Sequence, residues 1–285
     1  MTNLKYGIEI EFAGISRETA AETVADFFGT EFFYVGGELD ERDITDSRHR
    51  IWKVVKDGSI DTNDGQEQCE LVSPALTYED MEVLIQIADF ITKAGGIVNK
   101  SCGLHIHVDA AGFTPQAVVN LVTLVGSREQ LIYKALGIPK NRLRYCKRIN
   151  EDLVEMIQQH RPATLEELKQ YWYLESPYET VQGKYHSTRY HGVNLHAMFT
   201  KGTVEFRLFN STLEGKRIKA YLQFTLALCH QAILHKKSVL KKTTGYNEKY
   251  TFRCFLLRLK LNGEEFKDCR QVMLENLTGE SAWKG

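Results

Sequence analysis

The sequence predicts an α+β fold in which a largely antiparallel sheet is packed with helices. Strand-like and helical runs alternate irregularly along the chain, which is typical of this class. No glycine-rich phosphate loop follows any strand-like run, so a doubly wound nucleotide-binding fold is disfavoured. Several strand-like runs alternate apolar and polar residues, as antiparallel strands with one buried face do.

The chain is long enough to build a substantial core. It has 285 residues, of which 43% are hydrophobic, which suffices for one large domain or two small ones. It has only five prolines and no linker rich in Pro, Gly or Ser. We therefore predict one domain over residues 1–235, with residues 236–285 as a helical extension of the same domain.

The charge balance points to no polyanionic partner. Lys and Arg together number 36, Asp and Glu together number 37, and the formal net charge is −1. This balance gives no nucleic-acid signal and no signal for an anionic membrane surface. No segment approaches the roughly 20 apolar residues of a membrane span, and the first residues lack the apolar stretch of a signal peptide. We expect a cytoplasmic protein.

Capping residues predict where helices begin. Four N-terminal capping signals occur, at Ser16, Thr77, Thr114 and Thr164. Thr77 is followed three residues later by Asp80, which resembles a capping box, and Pro115 takes the first helical position after Thr114. A long amphipathic helix is predicted from about 215 to 235, and the last roughly 45 residues also have helical periodicity.

Strand-like segments lie between these helices and are recognised by apolar runs or by alternation. They are Leu4–Phe12, Ile51–Lys56, Glu67–Val72, Leu104–Val108, Gly192–Met198 and Thr203–Phe209.

Three of these segments carry charged or imidazole side chains on the face opposite their apolar residues. The first segment presents Glu9 and Glu11, the fourth His105 and His107, and the last Glu205 and Arg207; a further segment offers Glu70. A half-exposed strand alternates in the same way, and charged side chains then simply face water. Here the outward residues are Glu, His and Arg, with none of the Thr, Ser or Lys usual on a solvated face.

Such a set of side chains suits a divalent cation. Carboxylates two residues apart on a strand repel each other unless a cation lies near them. Hard oxygen ligands with one imidazole suit Mg²⁺ or Mn²⁺. Ions of this kind bridging the phosphates of ATP would neutralise charge during phosphoryl transfer, and Arg207 would stabilise the transferring group.

The motifs, taken in order, resemble the amidoligase family, a set of small relatives of glutamine synthetase and glutamate–cysteine ligase. They span about residues 6 to 223. The motifs are Gly7-x-Glu9-x-Glu11, Asp57-Gly58-Ser59, Glu70-Leu71-Val72-Ser73-Pro74, Cys102-Gly103-Leu104-His105-x-His107-Val108, Asn194-Leu195 and Glu205-x-Arg207. Each motif is weak singly, and their shared order makes the resemblance specific.

This resemblance implies a glutamine-synthetase-like catalytic domain, with a sheet curved around ATP and Mg²⁺ or Mn²⁺. It implies an ATP-dependent carboxylate–amine ligase acting through an acyl phosphate. By similarity, Arg207 and His107 are catalytic and lie at the ATP phosphates. The metal ligands implied are Glu9, Glu11, Glu70, His105 and Glu205.

Two basic clusters are further candidates for gripping a phosphate or an anionic substrate. Lys184 and Arg189 belong to one cluster and are expected to contact the nucleotide. The alternative for both clusters is a solvated basic surface. The other cluster consists of Arg142, Arg144 and Arg148.

Other interpretations remain open for the reaction. A His-x-His strand with carboxylates also suits a zinc hydrolase, although carboxylates outnumber histidines here. A nucleotide-binding relative without activity is a second alternative, and Cys102 beside two histidines is a candidate nucleophile.

The partners expected for a ligase are small-molecule or peptide carboxylates and amines. A neighbouring amidotransferase or modification enzyme is a further possible partner.

Overall fold

The computed structural model describes residues 1–62, 65–181, 183, 185–236 and 247–282. These residues form two compact units. The first unit comprises Thr2–Ile106 and Phe209–Tyr221, and the second comprises Met1, His107–Leu208 and Leu222–Gly285.

The first unit contains a sheet built mainly from antiparallel neighbours. Its strands lie in the order β2-β3-β4-β5-β1-β6, and the pairs β1/β5, β2/β3, β3/β4 and β4/β5 are antiparallel. The strands are β1 Tyr6–Phe12, β2 Phe32–Gly36, β3 Glu41–Thr45, β4 Ile51–Val55, β5 Cys69–Val72 and β6 Gly103–Asp109, the last belonging to this unit up to Ile106.

The second unit contains the remainder of β6, from His107, with β7 and β8 in the order β6-β8-β7. Strand β7 is Val193–Asn194 and β8 is Thr203–Asn210, the latter belonging to this unit up to Leu208, and the two strands pair antiparallel. This antiparallel pairing, with helices in both units, confirms the predicted α+β class.

Helices are distributed unequally between the units. The first unit contains α1 Arg17–Phe28 and α2 Met81–Lys93. The second contains α3 Pro115–Gly126, α4 Glu129–Ala135, α5 Glu151–His160, α6 Leu165–Tyr173, α7 His196–Lys201, α9 Glu248–Arg258 and α10 Lys267–Leu274. Helix α8, Gly215–Leu234, belongs to the first unit up to Tyr221 and to the second from Leu222.

The predicted caps are present where the sequence placed them. The side chains of Ser16, Thr114 and Thr164 each accept a backbone N–H from the first turn of the helix that follows. Thr77 and Asp80 form the capping box, and one 3₁₀ turn then leads into α2. Each cap satisfies an N–H that lacks an intrahelical partner.

The predicted strand over 192–198 is wrong in its second half. Only Val193–Asn194 is extended, and the chain then turns into α7. The Asn194 side-chain oxygen accepts the backbone N–H of His196 at 2.8 Å, which bends the chain away from the strand. Strands β2 and β3 were not predicted, because β2 exposes consecutive apolar residues such as Phe33 and Tyr34 and has no period of two.

One face of the first unit's sheet is sealed by helices. Helix α1 packs against α2, β3 and β4, and the apolar side chains of β1, including Ile8 and Ile10, are fully buried. Since side chains alternate along a strand, Glu9 and Glu11 point to the opposite face. The apolar packing therefore fixes the strand that presents these two carboxylates.

Within the ranges given above, no helix has the length and apolar character needed to cross a bilayer.

Candidate active site

Strands β1, β5 and β6 bring four predicted residues together in the first unit. Glu9, Glu70 and His105 form one group whose ligand atoms all lie within 4.8 Å of one another. Glu11 and Glu70 stand directly opposite each other on the paired strands β1 and β5. Like charges facing each other across a strand pair are destabilising, and a bound cation would relieve this repulsion.

The imidazole of His105 lies between two of these carboxylates. Its Nδ1 is 3.0 Å from Glu9 Oε2, and its Nε2 is 3.7 Å from Glu11 Oε1. The ring is 5% exposed, so these contacts occur largely out of water. Metal-binding histidines commonly have a carboxylate on the ring nitrogen that does not bind the metal, and Glu9 stands in this relation to His105.

Glu11 is anchored by the start of β6. The backbone N–H of Gly103 donates to Glu11 Oε2 at 2.6 Å, and the carboxylate is 3% exposed. A buried carboxylate with a backbone donor is held in one orientation. Its second oxygen, Oε1, is the one that approaches His105.

Asp57 joins this cluster and was assigned no role from the sequence. Glu11, Asp57 and Glu70 form a second group of ligand atoms within 4.8 Å of one another, so Glu70 belongs to both groups. The Asp57 side chain also accepts the backbone N–H of Ser59 at 2.7 Å. The signal that could have found it was its place in the Asp57-Gly58-Ser59 motif.

The donor set of the first unit fits Mg²⁺ or Mn²⁺. It consists of four carboxylates and one imidazole, without a thiolate among the grouped residues. Hard oxygen donors suit these ions, whereas structural and catalytic zinc sites are richer in histidine and cysteine.

Strand β8 places Glu205 and Arg207 side by side in the second unit. Arg207 Nη1 donates to Glu205 Oε1, and His107 Nε2 lies 3.8 Å from the same oxygen. His107 also contacts Thr203 through its Nδ1, at 3.0 Å from the hydroxyl oxygen. His107, Glu205 and Arg207 are all buried, at 9% exposure or less.

Arg207 is held on its other side by the segment 142–149. Its Nε donates to the carbonyl of Tyr145 at 3.3 Å, and the buried Arg142 donates to the carbonyl of Arg207 at 3.2 Å. The solvated-surface interpretation is therefore wrong for Arg142, which is 3% exposed. Arg142 supports the Arg207 backbone from inside the unit.

Helix α4 in turn anchors the segment 142–149. The Tyr133 hydroxyl donates to the carbonyl of Cys146 at 2.8 Å and lies 3.0 Å from that of Lys147. Glu129 accepts the backbone N–H of Ile149 with both oxygens, at 3.0 and 3.1 Å. Burial raises the pKa of Glu129 to about 8, and the hydrogen bond from Ile149 opposes this shift only in part.

We expect Glu129 to make stability fall as pH rises. Its pKa in the folded chain is about 8, well above the ordinary value of 4.5, so between these values the native state holds a proton that the unfolded state has released. Stability then decreases with rising pH, by at most about 1.4 kcal/mol per pH unit for one group. Glu129→Gln should flatten this slope between pH 5 and 8.

Thermal melts of wild type and Glu129→Gln at pH 5.5 and pH 8 measure the difference. Wild type should lose more stability than the variant between the two pH values. Equal losses would show that Glu129 titrates normally in the folded chain.

The other basic residues predicted to bind a phosphate or an anionic substrate differ in their surroundings. Arg189 lies over the rings of Tyr185 and Tyr190, at 5.4 and 5.5 Å from their centroids, and its nucleotide contact stays a prediction. Lys184 lies outside the described residues. Arg144 and Arg148 are exposed.

Cys102 is fully buried, and its sulfur contacts the Asn99 side chain at 3.5 Å. This setting does not favour a nucleophile, which needs access to substrate.

Comparison with known proteins identifies a family and finds solved structures of weak similarity. The family described as "Putative amidoligase enzyme" matches residues 2–229. No curated protein matches the chain. A solved structure, the complex between the prokaryotic ubiquitin-like protein Pup and its ligase PafA, is similar at 9% identity and a TM-score of 0.33. The match covers 96% of this chain and 51% of that chain, so this chain spans about half its length.

Proposed function

The chain belongs to the amidoligase family, and from this premise we propose that it joins a carboxylate to an amine with hydrolysis of ATP to ADP and phosphate. The observation that carries the proposal is the crowding of carboxylates around Glu70. That residue faces Glu11 across a strand pair and shares one ligand group with His105 and another with Asp57. Repulsion among these carboxylates destabilises a chain without cations, whereas the same carboxylates can bind the Mg²⁺ of Mg²⁺–ATP.

We propose that Glu9, Glu11, Glu70 and His105 bind Mg²⁺ or Mn²⁺. When bound, such ions supply charge neutralisation at the phosphates of ATP. The family resemblance adds Glu205 as a further ligand, which stays a prediction. Asp57 shares a ligand group with Glu11 and Glu70, and this supports including it in the site.

The reaction has two chemical steps. An oxygen of the substrate carboxylate attacks the γ-phosphorus of ATP, the bond to the β-phosphate oxygen breaks, and ADP leaves. The amine nitrogen then attacks the carbonyl carbon of the acyl phosphate, loses a proton, and inorganic phosphate leaves. Arg207 and His107 would contact the phosphoryl group as its charge redistributes, because guanidinium and imidazole N–H groups bind phosphate oxygens well.

Existing hydrogen bonds strengthen the contribution proposed for Arg207. Its guanidinium is already fixed by Glu205 and by the carbonyl of Tyr145. A donor that is fixed before the reaction need not reorganise when charge develops.

The substrates are proposed only as classes. A free or peptide carboxylate and a primary amine fit the reaction, and a neighbouring amidotransferase or modification enzyme would supply or consume them. ATP is the proposed nucleotide.

The test supplies ATP, Mg²⁺ and panels of carboxylates and amines to the purified chain and measures ADP, phosphate and the amide product. Formation of ADP that requires both an acid and an amine supports the ligase. A hydrolase would cleave an amide or ester without ATP and would copurify with zinc. Product formation without ATP consumption would contradict the proposal.

A further inference from the structure

The side chain of Asn194 occupies a buried position between helix α7 and strand β8. It is 1% exposed and stands directly opposite Glu205 in the β7–β8 register. Its Nδ2 donates to Glu205 Oε2 at 2.6 Å. Its Oδ1 accepts the backbone N–H of His196 at 2.8 Å and approaches that of Ala197 at 3.4 Å.

These contacts fix the orientation of the Asn194 amide. The two backbone N–H groups at the start of α7 are donors only, so the amide oxygen must face them. The amide NH₂ must then face the Glu205 carboxylate, which is an acceptor. The alternative flip would place NH₂ against N–H and oxygen against oxygen, with two buried repulsions.

Both oxygens of Glu205 therefore have a defined donor. Asn194 takes Oε2, and Arg207 takes Oε1. A carboxylate oxygen can accept two hydrogen bonds or one hydrogen bond and one cation. The two donors set the plane of the carboxylate and therefore the directions from which its oxygens can meet a cation.

Side-chain contacts link the chain segment after Asn194 to its neighbours. His196 Nδ1 lies 2.7 Å from the Tyr173 hydroxyl oxygen, and its ring stacks on that of His186 with centroids 5.4 Å apart. Burial and the neighbouring His186 lower the pKa of His196, which favours the neutral ring. The position of the Asn194 amide is thus tied to α6 and α7 as well as to β7.

We infer that Asn194 is a positioning residue that orients the Glu205 carboxylate for a divalent cation. The inference rests on the proposed function, in which Glu205 is a metal ligand. Partners that orient a metal-binding side chain typically change affinity or activity by about 10–100-fold when removed. A purely structural Asn194 would affect folding and leave metal affinity unchanged.

Two substitutions separate the two contacts of the amide. Asn194→Ala removes both. Asn194→Ser keeps a side-chain oxygen that can accept the N–H of His196, but is too short to donate to Glu205. We expect both variants to weaken Mn²⁺ binding by about 10-fold or more, and Asn194→Ser to melt at the higher temperature of the two.

The measurement is a calorimetric Mn²⁺ titration of each purified variant beside a thermal melt. Asn120→Ser is the matched control, because Asn120 is also fully buried and donates to the carbonyls of Ala232 and His235. This control should lower the melting temperature and leave Mn²⁺ affinity as in wild type.

A double-mutant cycle tests whether Asn194 acts through Glu205. In a Glu205→Gln background, Asn194→Ser should weaken Mn²⁺ binding no further. Wild-type affinity in Asn194→Ser, or full additivity in the cycle, would overturn the inference while a loss in Glu205→Gln left the proposed metal site intact. Wild-type affinity in Glu205→Gln would instead overturn both the inference and the assignment of Glu205 as a metal ligand, whereas the carboxylate cluster of the first unit is tested separately by Glu70→Gln.

Discussion

Replacing Glu70 with Gln is expected to weaken Mn²⁺ binding by more than about 10²-fold and to reduce ADP formation below detection. The reason is that Glu70 belongs to both ligand groups of the first unit, with Glu9 and His105 in one and with Glu11 and Asp57 in the other. One substitution therefore removes a formal charge that the two ligand groups share. Changes in partners that merely orient a ligand already cost about 10–100-fold, so loss of a shared ligand should cost more.

The same substitution should not weaken the metal-free fold. Gln has nearly the shape of Glu, and Glu70 faces Glu11 across the strand pair, so removing one charge relieves repulsion. The melting temperature without metal should equal or exceed that of wild type.

Glu22→Gln is the control for Glu70→Gln, because Glu22 is an exposed carboxylate on α1. It should change neither the Mn²⁺ titration nor ADP formation. Wild-type metal affinity in Glu70→Gln would remove the carboxylate cluster as a cation site.

Arg207→Lys is expected to lower turnover by about 10²–10³-fold while ATP still binds. Lys keeps a positive charge near Glu205, but it lacks the planar fork that lets Arg207 donate to Glu205 and to Tyr145 at once. Loss of one fixed donor to a developing charge typically costs this much. Phosphate release with a working acid and amine measures the effect.

Stability must be measured on the same Arg207→Lys sample, because Arg207 is 7% exposed and its lost hydrogen bonds are buried. We expect a loss of about 1–3 kcal/mol, which leaves the chain folded at assay temperature. Arg258→Lys, at an exposed position on α9, is the control and should retain full turnover and melting temperature. Full turnover in Arg207→Lys would leave the ligase assignment without its phosphoryl-binding group.

Much of the local structure was predictable from the sequence. The caps at Ser16, Thr114 and Thr164 are present because capping depends on residues a few positions apart. The two carboxylates of β1 project from the same face because side chains alternate along any strand with a period of two. The order of the motifs also identified the family, since such motifs are read along the chain.

The sequence also gave misleading signals where local rules compete. The run after Asn194 has apolar residues suited to a strand, yet the asparagine side chain starts a helix by accepting the N–H of His196. The arginines near Tyr145 have the composition of a basic surface, yet Arg142 is buried and supports Arg207. Composition does not distinguish these cases, because burial depends on neighbours distant in sequence.

The faces of β1, β6 and β8 that carry the chemical groups follow from the amino-acid order alone, and so does the family. Three pairings required the folded structure: Glu11 faces Glu70, Asp57 shares their ligand group, and Asn194 stands opposite Glu205. Strand periodicity fixes the face from which a side chain projects, but it does not specify the residue that the side chain meets. Partners are set by strand register, which follows from apolar packing and backbone hydrogen bonds between segments far apart in the chain.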